Sequence, residues 1–316
     1  MPELLTSVTT MRTIGDAQRQ LTAQFRAAGL DTPALDARLL VTAALGLDAA
    51  DGLRRPELAV PPEVIARIET FTRRRLAREP VSRILGTRHF HGLPFEIGPA
   101  TLDPRPDTET LVDAALELVR AGAVPGGEAP CILDLGTGSG AIMIALLAAL
   151  PAARGLATDI DPAALAIAGR NAVRHGIGDR LQLAAAHWLD GLMGPFDLIV
   201  SNPPYIPGRD IAGLDPEVAN YDPRRALDGG PDGLDAYRRI LAGAPVALSP
   251  GGWLMLEIGR DQKDDVAKIA AECENFISHS PLPQWSDLAG ITRCVAFQAR
   301  PGMQCKKELG IAAQSS

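Results

Sequence analysis

The feature that most constrains the fold is an alternation of apolar strands and amphipathic helices that begins at Cys131. The predicted strands are 131–135, 155–159, 181–185, 196–201 and 252–258, and the predicted helices are 140–150, 162–175, 234–248 and 262–273. Such alternation indicates a mostly parallel, doubly wound sheet with helices on both faces, the α/β class. Two last strands, near 275–280 and 293–299, have no helix between them, so we expect an antiparallel pair at one edge.

The chain before this region has a different pattern. Helical periodicity runs over 13–28, 34–45 and 63–78, and residues 83–99 alternate around Gly92 as a β-hairpin does. The sequence therefore predicts an N-terminal helical bundle (1–82), a β-hairpin linker (83–103), an α/β domain (104–300) and a flexible tail (301–316). We also expect Asp107 or Thr108 to cap a helix that runs through Val119.

Composition excludes several classes of protein. The net charge is −7; residues 1–85 hold 12 arginines against 10 acidic residues, and the rest of the chain is acidic. An acidic body argues against strong binding to phosphate backbones, so no direct nucleic-acid partner is expected. The four cysteines form no C-x-x-C pair, so no metal site or disulfide framework is predicted. No signal-peptide core or membrane-length apolar run is visible, and we expect a cytoplasmic protein without membrane contact.

A glycine-rich run follows the first strand of the alternating region and opens a helix. Its candidate binding residues are Gly136, Thr137, Gly138, Ser139 and Gly140. Glycines there let the backbone approach a ligand closely. The run also fits the dinucleotide fingerprint, and Asp159, which ends the second strand, could accept both ribose hydroxyls of NAD or of S-adenosylmethionine. Asp161 is expected to cap the next helix, and Asp134 to hold the glycine loop.

The tetrapeptide Asn202-Pro203-Pro204-Tyr205 decides between these cofactors. Its prolines end the strand 196–201 at the sheet edge where α/β proteins bind ligands. The turn offers an amide side chain, free backbone carbonyls and an aromatic ring, a set that suits a planar amide or amino group. Trp188, after the third strand, could cover an adenine. A dehydrogenase would need a proton-transfer residue in the later half, and none is evident there. The pattern favours methyl transfer.

These motifs together resemble a class I S-adenosylmethionine-dependent methyltransferase that acts on an amide or amino nitrogen. The segments 104–109 (Pro-Arg-Pro-Asp-Thr-Glu) and 221–230, with the helical bundle, are similar to those of the bacterial HemK/PrmC family. Its members methylate the glutamine of the Gly-Gly-Gln motif in class I peptide chain release factors, which supports translation termination. The resemblance covers about residues 10–300. Asp103 departs from it, because the family usually carries an aliphatic residue there.

The resemblance implies roles for the site residues. S-adenosyl-L-methionine, which becomes S-adenosyl-L-homocysteine, would be held by residues 136–140, Asp159, Trp188 and Asn202. Asn202 and Pro203 would be catalytic, because their oxygens accept the two N–H bonds of the glutamine amide. Pro204 and Tyr205 would help to bind that side chain. The bundle would dock the release factor.

Two alternatives for the substrate stay open on the sequence. An adenine-N6 methyltransferase of DNA or RNA uses the same turn on a flipped base, and another glutamine methyltransferase could act on a ribosomal protein. The arginine cluster at 73–78 also has two interpretations: a solvated face at the end of a helix, or part of the docking surface.

Overall fold

The computed structural model describes residues 11–48, 50–192 and 194–301 of the 316-residue chain. Its helices are α1 (Ile14–Ala27), α2 (Pro33–Ala44), α3 (Asp51–Arg54), α4 (Pro62–Leu76), α5 (Val81–Leu85), α6 (Glu109–Arg120), α7 (Ala141–Ala149), α8 (Pro162–Arg174), α9 (Pro216–Ala219), α10 (Asp235–Ala247) and α11 (Lys263–Ala271). Its strands are β1 (Thr87–Phe90), β2 (Leu93–Glu96), β3 (Cys131–Leu135), β4 (Arg154–Asp159), β5 (Leu181–Ala185), β6 (Phe196–Ser201), β7 (Leu248–Glu257), β8 (Gln284–Ser286) and β9 (Thr292–Gln298). The described chain divides into two compact units, a helical unit (11–87 with 215–221) and a sheet unit (88–214 with 222–301).

The helical unit is built on α1, α2 and α4, which the sequence predicted. Thr13 begins α1 with a capping box, because its hydroxyl accepts from the Asp16 amide and Asp16 accepts from the Thr13 amide. The apolar stripe of α1 is fully buried against α2 and α4 in a core of leucine, isoleucine and phenylalanine. Gly29 and Gly46 follow the first two helices with φ of 69° and 70°, the left-handed conformation that glycine adopts without strain.

The arginine cluster at the end of α4 is divided: Arg73 is exposed, whereas the other three arginines form ion pairs. Arg75 is 6% exposed, and its guanidinium lies 2.7 Å from Asp36 and 3.1 Å from Glu217 of α9. Arg78 also pairs with Glu217, and Arg74 pairs with Glu79. Both interpretations are therefore wrong for Arg75. The sequence could not show this, because Glu217 is separated from the cluster by 142 residues.

The sheet unit is a seven-stranded sheet in the order β5-β4-β3-β6-β7-β9-β8. The first five strands in this order are parallel, and β9 pairs antiparallel with both β7 and β8. Successive residues of the central strands bury into different cores: Ile132 packs with α6 and α7, whereas Leu133 packs with the core that α10 and α11 complete. The doubly wound class with an antiparallel edge pair is confirmed. Strand order reverses between β3 and β6, and such a switch point is where ligands bind.

Three local predictions are wrong. Residues 275–280 form no strand; β8 lies at Gln284–Ser286, and Phe276 makes only one isolated bridge. The first residues of the predicted hairpin are instead helical, in α5, before β1 and β2 form the hairpin itself. Neither Asp107 nor Thr108 caps α6 with its side chain. The predicted tail after Pro301 lies outside the described residues.

Candidate active site

A cavity of about 480 Å³ opens in the sheet unit at the carboxyl ends of the parallel strands. The glycine loop after β3 and the turn after β6 form its walls, so the cavity lies at the switch point of the sheet. Eight of the predicted site residues line it, namely Gly136, Thr137, Gly138, Ser139, Asp159, Trp188, Asn202 and Pro204. Its size is that of a small-molecule site.

The glycine loop needs its glycines for two different reasons. Gly138 has a φ of 57° and nothing lies within 4 Å of the position where its Cβ would stand, so the backbone is bare toward open space. Gly140 has a φ of 81° and is packed: its Cβ would meet Ile144 at 3.0 Å and Ala168 at 3.2 Å. Gly140 does not line the cavity, and it serves the close packing of α7 against α8.

Asp159 is the residue that shapes the loop. One carboxylate oxygen accepts from the Gly138 amide at 2.9 Å, and the other accepts from the Asp161 amide at 2.9 Å. Each oxygen keeps a further lone pair, because a carboxylate can accept about four hydrogen bonds. Asp161 caps α8 through the Ala163 amide, as predicted, and also pairs with Arg225, which lines the cavity.

Asp134 holds the loop through a hydroxyl. Thr137 Oγ1 donates to its carboxyl at 2.6 Å, and Thr137 in turn donates its backbone N–H to Thr158. Asp134 is fully buried, and burial raises the pKa of its carboxyl to about 7, although the Thr137 hydrogen bond opposes this rise. Its other oxygen, Oδ1, has no hydrogen-bond partner among the described residues.

Trp188 lines the same cavity. Its backbone has a φ of 56°, a left-handed conformation that is rare for a large side chain and costs about 1–3 kcal/mol. The half-buried ring stands over Gly136, where an added Cβ would be 3.7 Å from Cζ3. The surrounding structure therefore holds this ring as a wall of the cavity at some cost in stability.

The turn after β6 places Asn202 and Pro204 at the cavity and turns the other two residues inward. Pro203 is buried, and neither it nor Tyr205 lines the cavity. Tyr205 packs on the core, its carbonyl accepts from Gln262 at 3.0 Å, and burial raises the pKa of its phenol above the ordinary range. The following chain pairs with 227–230: Ile206 donates to the Leu227 carbonyl and accepts from Gly229.

The segment that begins at Pro104 is joined to the segment 222–230 by an ion pair. Arg105 Nη2 lies 2.5 Å from Asp222, whose side chain is almost fully buried. The unusual Asp103 is also buried, and its carboxylate lies 3.6 Å from Arg88 Nε. A cation thus lies close enough to compensate this buried charge.

Two polar residues of the site were not assigned from the sequence. Thr108 Oγ1 accepts from Asn202 Nδ2 at 3.1 Å. Its backbone is helical, with φ of −67° and ψ of −20°, and not extended as a capping side chain usually requires. Glu257, the last residue of β7, is 1% exposed, and burial raises the pKa of its carboxyl to about 7. A signal was available for Glu257, because it is the single charge in the otherwise apolar run 252–258.

The comparisons with known proteins define first the class and then the family. Residues 113–214 match the family model "Methyltransferase small domain", and residues 16–86 match "PrmC N-terminal domain". The catalytic domain of hMettl16, solved with hairpin 6 of the MAT2A 3′UTR, covers 66% of this chain and 76% of its own at 17% identity and a TM-score of 0.50. That likeness shows the fold alone: this is a methyltransferase fold.

The sequence relatives are more specific. The release factor glutamine methyltransferase of Bradyrhizobium diazoefficiens is 46% identical over 92% of this chain and 97% of its own length. That of Rhodospirillum rubrum is 48% identical over 88% of this chain and 82% of its own. The chain belongs to the release factor glutamine methyltransferase family.

Proposed function

We propose that this protein transfers a methyl group from S-adenosylmethionine to the side-chain amide nitrogen of the glutamine in the Gly-Gly-Gln motif of class I release factors. The observation that carries the proposal is the Asn-Pro-Pro-Tyr turn at the cavity. Asn202 donates its Nδ2 to Thr108, and its Oδ1 accepts from none of the residues that the structure describes. Family membership supports the same reaction. Because release factors act on ribosomes, the activity belongs in the cytoplasm. Among the described residues, no helix is long and apolar enough to cross a membrane.

The residues present fit the cofactor. The bare backbone at Gly138 can approach the cofactor, Asp159 keeps acceptor capacity for the ribose, and the Trp188 ring provides a face for the adenine. Ser139 and Thr137 complete the loop wall. When bound, S-adenosylmethionine would supply a methyl group on a sulfonium sulfur, which the glutamine nitrogen accepts with release of S-adenosylhomocysteine and a proton.

The chain's part in the reaction is to orient a weak nucleophile. An amide nitrogen is unreactive because its lone pair is delocalised into the carbonyl. Asn202 Oδ1 and the Pro203 carbonyl would accept the two N–H bonds, aim the lone pair and stabilise positive charge as it grows on nitrogen. Pro204, which lines the cavity, would pack on the glutamine side chain, whereas Tyr205 supports the turn from the core side. No base is required at the nitrogen, because the proton becomes acidic once the methyl is attached and leaves to solvent.

The test of this function is labelled methyl transfer offered in parallel to a release factor, ribosomes and DNA. We expect label on the factor, and we expect none after the motif glutamine is changed to alanine. The variant Asn202→Ala should lower turnover by ~10²-fold or more, as losing a preorganised polar contact does elsewhere. Label on DNA or a ribosomal protein but not on the factor would reject the proposal.

We propose further that the helical unit docks the body of the factor, which would raise the effective concentration of the glutamine loop at the cavity. Arg74, Arg75 and Arg78 are engaged in ion pairs, so docking would use exposed arginines such as Arg54, Arg55 and Arg73. Reversing these three charges should raise KM for the whole factor and leave KM for a short Gly-Gly-Gln peptide unchanged. An equal effect on both substrates would reject docking by this surface.

A further inference from the structure

Thr108, which holds Asn202, belongs to a buried polar cluster that also contains Glu257. Thr108 and Glu257 are 4% and 1% exposed, and they come from different elements, the turn before α6 and the end of β7. The parallel register pairs Ser201 with Leu256, so Asn202 and Glu257 come next on the two neighbouring strands. Asn202 Nδ2 donates to Thr108 Oγ1 at 3.1 Å, and Tyr205 Oη donates to Glu257 Oε1 at 3.5 Å. The Thr108 hydroxyl lies close enough to oppose the rise in the pKa of the Glu257 carboxyl.

The direction of these interactions follows from which groups can donate. An ionised carboxylate only accepts, so the single hydroxyl proton of Thr108 is drawn toward Glu257. The Thr108 oxygen is then left as an acceptor, and only the NH₂ end of the Asn202 amide can satisfy it. The amide oxygen must therefore face the other way, where the proposed function needs an acceptor. A flipped amide would place two oxygens in contact and present N–H donors to the substrate.

We infer that Glu257, through Thr108, is a positioning residue that fixes which end of the Asn202 amide is presented to the glutamine substrate. This inference rests on the proposed function, since it concerns how Asn202 performs its role there. Glu257 itself does not line the cavity and touches no reacting atom. One oxygen of Glu257, Oε2, is buried without a hydrogen-bond partner among the described residues. This unpaired oxygen supports a role for Glu257 beyond filling space in the core. An apolar side chain would fill this place without such a cost.

The protonation of Glu257 should matter for the same reason. A protonated carboxyl can donate to Thr108 Oγ1, which frees the hydroxyl proton to point at the Asn202 amide and removes the preference for one orientation. Burial raises the pKa of Glu257 to about 7, so this loss falls in an accessible range. The titratable and charged groups that face Glu257 are Asp107 before α6, Arg293 and Cys294 on β9, Tyr205 in the turn and Tyr237 on α10.

A matched pair of Thr108 variants separates orientation from packing. Thr108→Ser keeps the hydroxyl and Thr108→Val keeps the shape without it. With a release factor as substrate, we expect T108V to lower kcat by ~10-fold, the value of one oriented hydrogen bond, with KM changed by less than about 3-fold. T108S should retain kcat near that of the wild type. Equal losses in both variants, or a loss confined to KM, would overturn the inference.

Two further measurements do not depend on one variant or on turnover alone. Solvent exchange of the Asn202 side-chain amide protons, identified by their absence in Asn202→Ala, should be ~10-fold faster in T108V than in T108S. In the wild type, kcat should rise with pH through about 7, because only ionised Glu257 fixes the amide, and E257Q should lower kcat and remove that rise. Exchange that is unchanged in T108V, or a rise with the same midpoint in E257Q, would overturn the inference. The proposed function is tested separately, by whether the wild type methylates the factor under these conditions, whatever the variants show.

Discussion

The variant E257Q should change how the stability of the sheet unit depends on pH. Burial raises the pKa of Glu257 from its ordinary 4.5 to about 7, although the Thr108 hydroxyl and Arg293 oppose that rise. The unfolded chain therefore releases this proton from about pH 4.5, whereas the folded protein holds it to about pH 7. Between these values the folded state binds more protons, so the free energy of unfolding falls as pH rises. Glutamine cannot ionise, and the variant should lack that decline.

The magnitude follows from the two pKa values. The carboxyl should cost about 1 kcal/mol of the free energy of unfolding at pH 5 and about 3 kcal/mol at pH 8. The free energy of unfolding of E257Q relative to that of the wild type should therefore rise by ~2–3 kcal/mol between these pH values. Any constant effect of the amide group cancels in this comparison. Asp134, whose pKa burial also raises to about 7, is present in both proteins and cancels as well.

Tryptophan fluorescence during urea unfolding is the suitable assay. The three tryptophans of the chain, Trp188, Trp253 and Trp285, all lie in the sheet unit, so their signal reports on that unit alone. Glu128→Gln is the matched control, because Glu128 is exposed and its removal takes no charge out of the interior. The quantity to follow is the difference in free energy of unfolding between E257Q and the wild type. If it changes by less than about 0.5 kcal/mol from pH 5 to pH 8, the folded protein imposes no burial cost on this carboxyl.

Three further predictions follow from single contacts. Asp159→Ala removes the acceptor that holds the Gly138 amide and, in the proposed function, the ribose. Calorimetric titration should show S-adenosylmethionine binding weakened by roughly 1.5–3 kcal/mol, and an unchanged affinity would contradict the assignment. Gly140→Ala places a Cβ 3.0 Å from Ile144 in a left-handed backbone. Its control is Gly176→Ala, where φ is 67° but the space is open, and Gly140→Ala should destabilise the sheet unit by ~1–3 kcal/mol more than this control. Equal losses of stability in urea unfolding would refute the packing argument. Arg75→Met leaves the buried carboxylate of Asp36 without its cation and should destabilise the helical unit by ~3–5 kcal/mol. The measurement is faster amide hydrogen exchange in α2 and α4. Arg73→Met, at an exposed position, is the control and should have little effect.

The sequence predicts best where buried strands are bounded by turn residues. The predicted strands 131–135 and 196–201 match β3 and β6 residue for residue. In each case an apolar run is ended by local signals, and for β6 the two prolines cannot continue the ladder. The edge strand β8 could not be placed in the same way. It has three residues with two of them exposed, so neither length nor apolar pattern marks it.

The polar contacts of the site were harder to predict, because they join residues far apart in the chain. Thr108 stands where a helix cap is expected, but its hydroxyl is used by Asn202, 94 residues later. Tyr205 is adjacent to the cavity residue Pro204, yet it faces the core and Glu257. Local propensity describes what a side chain can do with its own backbone, and it carries no information about a partner that folding brings from another strand.

Two of the buried carboxyls in the sheet unit indicate that the fold gives up stability to build its site. Asp134 and Glu257 are both fully buried, and burial raises the pKa of each to about 7, so each is costly to keep in an interior that apolar residues could fill. Neither is placed at random. Asp134 contacts the hydroxyl of Thr137 in the glycine loop, and Glu257 contacts the hydroxyl of Thr108 that holds Asn202. Each carboxyl is thus one hydroxyl away from one of the two loops that flank the switch point. Stability alone would not favour burying two carboxyls next to these loops. A site that depends on the orientation of a few polar atoms does favour it, because each carboxyl fixes a hydroxyl that contacts a loop.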